Sequence, residues 1–211
     1  MSVVSARQDE VVAGNVYPKY TTRNPLARLL VANFMNHLRQ LVRQTGAREV
    51  HEVGCGEGFL ARLLATDGYQ VRGSDLSPAT IAEARRRSAE ITPPIAFQVA
   101  DLYRLEPGRD AAELILCCEV LEHLPDPSQA LDVLAQLARP HLIASVPKEP
   151  VWRILNLARG RYWSDLGNTP GHLQHWSGRS FTALLQQHFD LIEVRNPLPW
   201  TMALCRARRP R

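Results

Sequence analysis

The stretch that most constrains this chain is VHEVGCGEG, residues 50–58, where Val50 and Val53 lead into glycines at 54, 56 and 58. An apolar β-branched run followed by alternate glycines reads as a buried strand entering a tight loop. Such a loop needs positions that tolerate positive φ and let backbone approach a ligand without a Cβ in the way. Phe59, Leu60, Leu63 and Leu64 then recur at helical spacing. A second strand pattern, Tyr69–Ser74, ends in Asp75, twenty-one residues after Gly54. Strand, glycine loop, helix, strand and acid in this register form a βαβ unit whose carboxylate accepts hydrogen bonds from ribose hydroxyls. A glycine-rich turn without a ligand is the other reading of these residues, and the register of strand, loop, helix and acid weighs against it. The dinucleotide fingerprint GxGxxG fits poorly, because its third glycine would fall at 59, which is Phe.

The rest of the chain repeats this alternation. Asn24 caps a helix with Pro25 at its first position, Leu26, Leu30, Phe34, Leu38 and Leu41 as its buried stripe, and Gly46 at its end. Strands are expected near 48–53, 69–74, 95–99, 113–118 and 141–146, with helices near 57–66, 78–90 and 127–138. A helix at about 179–188 precedes strands near 190–195 and 200–206, which form an antiparallel edge hairpin. The pattern predicts an α/β fold: a doubly wound, mostly parallel, Rossmann-like seven-stranded sheet with its ligand across the carboxyl ends of strands one and four. One domain is expected. It comprises an N-terminal lid and helix (1–45), a core (46–147), an insertion (148–178) and a closing helix, hairpin and basic tail (179–211). Val16–Tyr20 is the candidate lid.

Charge and cysteine usage narrow the class. Arg206, Arg208, Arg209 and Arg211 equal the net charge of +4, so residues 1–205 are balanced. That argues against a nucleic-acid enzyme, which carries a basic face within its fold. A frayed, solvated terminus explains the tail as well as an RNA or membrane anchor does. Cys55, Cys117, Cys118 and Cys205 lack metal-ligand spacing and read as reduced, buried thiols of a cytoplasmic protein. No run is long enough for a membrane span, and MSVVSARQDE does not read as a signal peptide.

GxGxG with a downstream acid resembles the first motif of class I S-adenosylmethionine (SAM) methyltransferases. Leu76-Ser77-Pro78 after Asp75, Ala100-Asp101-Leu102 after strand three, and LILCCEVLEHLPDP at 114–127 extend the likeness to the ubiquinone-biosynthesis O-methyltransferases and their small-molecule relatives. The resemblance covers about residues 48–147. It implies SAM as cofactor, held by Glu52, Gly54, Cys55, Gly56, Gly58, Asp75, Leu76, Asp101, Leu102 and Glu119. Within that set the glycine loop approaches the methionyl moiety, Asp75 binds the ribose, and Asp101 with Leu102 holds the adenine. Where the family often has a glycine-rich turn before strand five, this chain has Ala138-Arg139-Pro140-His141, on the side away from the ligand.

Methyl transfer from a sulfonium depends on alignment, whereas a hydroxyl acceptor also needs its proton removed by a base or a metal. His123 and Glu119 are the candidate catalytic residues. Glu119-Val120-Leu121-Glu122-His123 reads in two ways. In one, Glu119 bonds loop amides while Glu122 and His123 shape the turn. In the other, the spacing resembles the metal motif of small-RNA 2′-O-methyltransferases and some ubiquinone O-methyltransferases. Glu119, Glu122, His123 and a later His172 or His175 would then bind Mg²⁺, Mn²⁺ or Zn²⁺.

VWRILNLARGRYW, residues 151–163, puts Val151, Ile154, Leu155 and Ala158 on one stripe, with Trp152 at its edge and Arg153 and Asn156 opposite. It reads as a substrate-capping helix or as a basic amphipathic helix at a membrane surface. Trp152, Trp163 and Trp176 then line or support an acceptor pocket. The reading is a SAM-dependent enzyme methylating a small molecule, lipid-linked or aromatic, at oxygen. An amine N-methyltransferase, an RNA 2′-O-methyltransferase, a non-catalytic SAM-binding protein and an NAD-dependent oxidoreductase are its competitors.

Overall fold

The computed structural model describes residues 24–158, 168, 169 and 171–208. The Asn24 side chain accepts the backbone N–H groups of Leu26 and Ala27, and Pro25 opens helix α1, Pro25–Thr45. Gly46, at φ 66, closes it in the left-handed conformation. The remaining helices are α2 (Phe59–Thr66), α3 (Pro78–Arg87), α4 (Pro107–Asp110), α5 (Pro127–Leu137), α6 (Val151–Ala158) and α7 (Gly178–His188). The strands are β1 (Glu49–Val53), β2 (Gln70–Asp75), β3 (Ala96–Val99), β4 (Ala112–Cys118), β5 (Ala138–Pro147), β6 (Phe189–Arg195) and β7 (Trp200–Ala207).

They form one sheet in the order β3-β2-β1-β4-β5-β7-β6, parallel from β3 to β5 and antiparallel at β7 and β6. The order reverses between β1 and β4, so loops leaving their carboxyl ends diverge and open a crevice there. β4 divides its side chains by strand alternation. Leu114 and Leu116 pack with Leu38, Leu41 and Leu64 of α1 and α2, while Ile115 and Cys117 pack with Leu131, Leu134 and Phe181 of α5 and α7. Ser128 and Asp132, one turn apart on α5, also grip His188 of α7 through Nε2 (3.0 Å) and Nδ1 (2.8 Å).

Several local expectations change. Leu26 is exposed, and the α1 stripe is instead Val31, Phe34, Leu38, Leu41 and Val42. β5 begins at Ala138, so the segment expected as a turn joins the sheet. On α6 Ile154 is 59% exposed while Asn156 is 2% exposed, its amide donating to Thr169 Oγ1 at 3.2 Å. The α6 stripe is therefore partly reversed, because a hydroxyl on the facing segment rewards the polar residue. The Arg153 backbone N–H donates to Glu149 just before the helix, and the Arg153 charge offsets part of the burial that raises the Glu149 pKa. The basic tail is ordered at Arg208, which pairs with Asp190 (3.0 Å) and donates to the carbonyls of Gln186, Gln187 and Phe189. A cation there satisfies the last carbonyls of α7 and opposes its dipole. Val16–Tyr20, Arg159, Arg161, Trp163, Arg209 and Arg211 lie outside the described residues.

Beneath the glycine loop, His51 is fully buried between β1, β2 and α4. Its Nδ1 meets the Asp110 carbonyl at 2.7 Å, so Nδ1 carries the hydrogen and Nε2 accepts from Ser74 Oγ at 2.9 Å. Burial is the main cause that lowers the His51 pKa, with the Arg72 charge adding to it. The unfolded chain binds this proton below about pH 6.5 and the folded chain only at lower pH, so His51 makes stability rise with pH up to about 6.5. Stability should fall as pH drops from about 6.5, at up to about 1.4 kcal/mol per pH unit for one proton. Urea midpoints between pH 5 and 7.5 should show a steeper acid loss in wild type than in His51→Asn. Equal slopes would contradict the assignment.

Candidate active site

The loop after β1 is built by three glycines doing different work, all with positive φ. A Cβ on Gly54 would lie 2.3 Å from Val120 Cγ2, and one on Gly58 would lie 2.8 Å from the Phe97 ring. Those two permit close packing of the loop on the fold. A Cβ on Gly56 would meet nothing within 4 Å, so this glycine faces open space. The Ser74 carbonyl accepts the N–H groups of Gly54 (2.8 Å) and Cys55 (3.0 Å), which ties the loop to the end of β2. Cys55 is buried, and desolvation, with the nearby Glu52 and Asp75 charges, pushes its thiol far above the ordinary range, so it is inert. Glu52 is buried beside it on β1.

Asp75 closes the loop from the other side. Its carboxylate accepts Gly56 N–H (2.8 Å), Ser77 N–H (3.0 Å) and the Thr80 hydroxyl (3.2 Å). A carboxylate has about four acceptor positions, so capacity is left for a sugar hydroxyl. Leu76 is 50% exposed and Val99, register partner of Asp75, is 49% exposed. These apolar side chains at the β2 and β3 ends offer surface that a flat base can cover. Asp101 is half-buried, and one of its oxygens accepts Tyr103 N–H at 3.0 Å. Leu102 is buried in the main core, so its side chain supports that edge from below. Open backbone at Gly56, a carboxylate, an apolar shelf and a second acid fit a nucleoside-bearing cofactor.

Past β4 the expected metal set divides. Glu122, His123 and His172 come together, with one ligand atom from each lying within 4.8 Å of the others. Two ligands of one tetrahedral zinc ion stand about 3.4 Å apart, so the set would have to contract by up to about 1.4 Å to hold one. His123 Nδ1 meets the Gly171 carbonyl at 2.9 Å, which puts the hydrogen there and leaves Nε2 of the neutral ring as acceptor. Glu119 and His175 lie outside this group. The Glu119 carboxylate accepts Trp200 Nε1–H at 2.6 Å and the Ser145 hydroxyl at 3.4 Å, and His175 Nε2 bonds Asn168 at 2.7 Å. The backbone carbonyl of Glu122 accepts the N–H groups of Leu173 and Gln174, which brings the insertion over the end of β4.

The tryptophans also part company. Trp152 faces the site, stacked on His172 at 6.3 Å and bonded to Thr169, while Trp176 packs on Phe181 in the core. Trp200 escapes a sequence reading because its partner Glu119 is 81 residues away and no spacing pattern reaches from one to the other.

This sheet order, with the glycine loop and acid at the switch point, is the fold of the class I SAM-dependent methyltransferases. Residues 51–144 match the family described as methyltransferase domain, and the fold agrees with that match. It is similar to a ubiquinone biosynthesis O-methyltransferase of Alkalilimnicola ehrlichii, 31% identical over 160 residues, covering 68% of this chain and 64% of the relative. The chain spans between 40% and 64% of the length of the first curated relatives it matches. Among solved structures, the magnesium protoporphyrin IX methyltransferase of Synechocystis with bound S-adenosylhomocysteine (SAH) superposes with TM-score 0.64 at 20% identity, covering 89% of each chain. The cyclase SpnF superposes with TM-score 0.63 at 16% identity, covering 85% of this chain and 82% of its own, so the fold alone does not fix the reaction. Among the described residues no helix is long and apolar enough to cross a membrane.

Proposed function

We propose that this protein transfers the methyl group of SAM to a hydroxyl of a small-molecule acceptor. The observation that carries the reading is His123, whose bond to Gly171 leaves Nε2 as a proton acceptor three residues after Val120, which packs on Gly54. When bound, SAM supplies a methyl group already activated on a sulfonium. The chain's own part is to seat the cofactor with Gly54–Gly58, Asp75, Leu76 and Asp101, and to orient the acceptor. His123 Nε2 takes the acceptor's proton, and the exposed ring can pass it to solvent. The acceptor is aromatic or lipid-linked in this reading, since Trp152 and the exposed Ile154 and Leu173 line the insertion side. The relative's name, a ubiquinone biosynthesis O-methyltransferase, supports an oxygen target. Four buried free thiols suit a reducing, cytoplasmic setting, and peripheral membrane contact through the insertion belongs to the same proposal.

The Glu122, His123 and His172 grouping favours a second reading in which these residues hold a divalent ion. A carboxylate and two imidazoles leave an open position, and the His123–Gly171 bond orients the ring as an outer partner does for a ligand. The ion would lower the pKa of an acceptor hydroxyl in place of a direct base. Loss of transfer on chelation, with restoration by Zn²⁺, Mn²⁺ or Mg²⁺, selects this reading.

Calorimetry with SAH tests the cofactor half. Asp75→Ala removes a ribose partner and a loop tie, and should weaken SAH by roughly 1–3 kcal/mol, the scale of hydrogen bonds to a charged group. Unchanged affinity in a folded variant, or tighter binding of NAD than of SAH, would refute the site. Labelled SAM offered to catechols, amino sugars and RNA with a free 3′ diol would separate oxygen, nitrogen and RNA acceptors.

A further inference from the structure

Glu119 is left without a role by the chemistry above, yet its geometry is costly. With φ 61 it is the only non-glycine among the described residues in the left-handed region. Such strain persists where the surroundings over-determine it. Its N–H donates to the Ser145 carbonyl at 3.0 Å, and its Oε2 accepts the Trp200 indole N–H at 2.6 Å. A carboxylate makes a shorter, stronger bond to an indole than a carbonyl would. Trp200 is 4% exposed, at the start of β7 beside Pro147 of β5.

From Trp200 a row of rings leads back to the site. Trp200 meets Phe34 edge-on at 5.1 Å and Trp152 at 5.9 Å. Trp152 stacks on His172 at 6.3 Å and 25°, and His172 meets His123 edge-on at 4.9 Å. His123 is four residues after Glu119, so the row closes on the segment where it began. Aromatic pairs prefer these offset and edge geometries, and a ring held at one end restricts the next. Core packing alone accounts for the apolar faces of Trp200 but not for a strained acid aimed at its N–H.

We propose that Glu119 is a positioning residue: by fixing Trp200, and through it Trp152, it sets the orientation of His172 against His123. The proposal rests on the acceptor-side role given to His123. Histidine-ring NMR tests it without an acceptor, with resonances assigned by His172→Asn and His123→Asn and folding checked by melting. His172 ring protons over Trp152 should be shifted upfield in wild type. Glu119→Ala, and independently Trp200→Phe, should remove at least about half of that shift. Glu119→Gln should keep it, because an amide oxygen still accepts the indole N–H. A shift that survives in folded Glu119→Ala and Trp200→Phe, or is lost equally in Glu119→Gln, would overturn the anchor. Calorimetry of wild type with SAH bears separately on the functional reading, so the two can fail independently.

Discussion

Gly54→Ala is expected to destabilise the protein by about 2–5 kcal/mol, a large part of a domain's stability. Two costs combine. The residue has φ 74, which strains any residue with a Cβ, by about 1–2 kcal/mol. The new methyl would also lie 2.3 Å from Val120 Cγ2, with Cγ1 and Cβ at 3.2 and 3.3 Å, so rotating this β-branched side chain only exchanges one clash for another. Overpacking of this kind costs about 1–3 kcal/mol. Gly56→Ala is the control. At φ 51 and with nothing within 4 Å, it should lose only the backbone term of about 1 kcal/mol. Its methyl would nevertheless occupy the space where a ligand must approach, and SAH affinity should drop on the order of tenfold or more. Urea melts and SAH calorimetry on both variants check the pair. A Gly56→Ala protein that binds SAH like wild type would show that the cofactor does not touch this backbone.

His123→Ala should lower kcat by on the order of 10²–10⁴ on the best acceptor found, with SAH affinity kept within about threefold. His123 is exposed, and beyond its Gly171 bond and the ring contact with His172 it carries no core packing, so its removal should leave the melting temperature nearly unchanged. Added imidazole should restore part of the rate in either role, and a chelator separates them: the rescued rate survives chelation if the ring acts as a direct base and is lost if it is a metal ligand. Turnover within about threefold of wild type would return His123 to a role in shaping the turn.

Much of the scaffold was legible because it rests on local chemistry. Asn24-Pro25, Ser77-Pro78 and the glycines at 46 and 54–58 start, stop and bend the backbone through groups only a few residues apart. Strand–helix alternation settles the parallel order, since crossovers of one hand leave few topologies. The acid at 75 was legible for the same reason, being the end of the strand next to the loop. The division of labour in the site was not. Glu119 and Glu122 are three residues apart and chemically alike, yet one meets Trp200 and Ser145 and the other joins two imidazoles. His172 and His175 are equally close in sequence, yet only His172 faces His123, because Leu173 and Gln174 bond the Glu122 carbonyl and fix the segment's register. On α6, Asn156 is buried and Ile154 exposed because Thr169 faces one and not the other. Residue spacing within a segment sets which side chains share a face, and the sequence by itself determined that much. What stands opposite that face is decided by residues tens of positions away. Only the packed sheet brings them within hydrogen-bonding distance, and so only the tertiary structure decided which acid and which histidine lie beside His123.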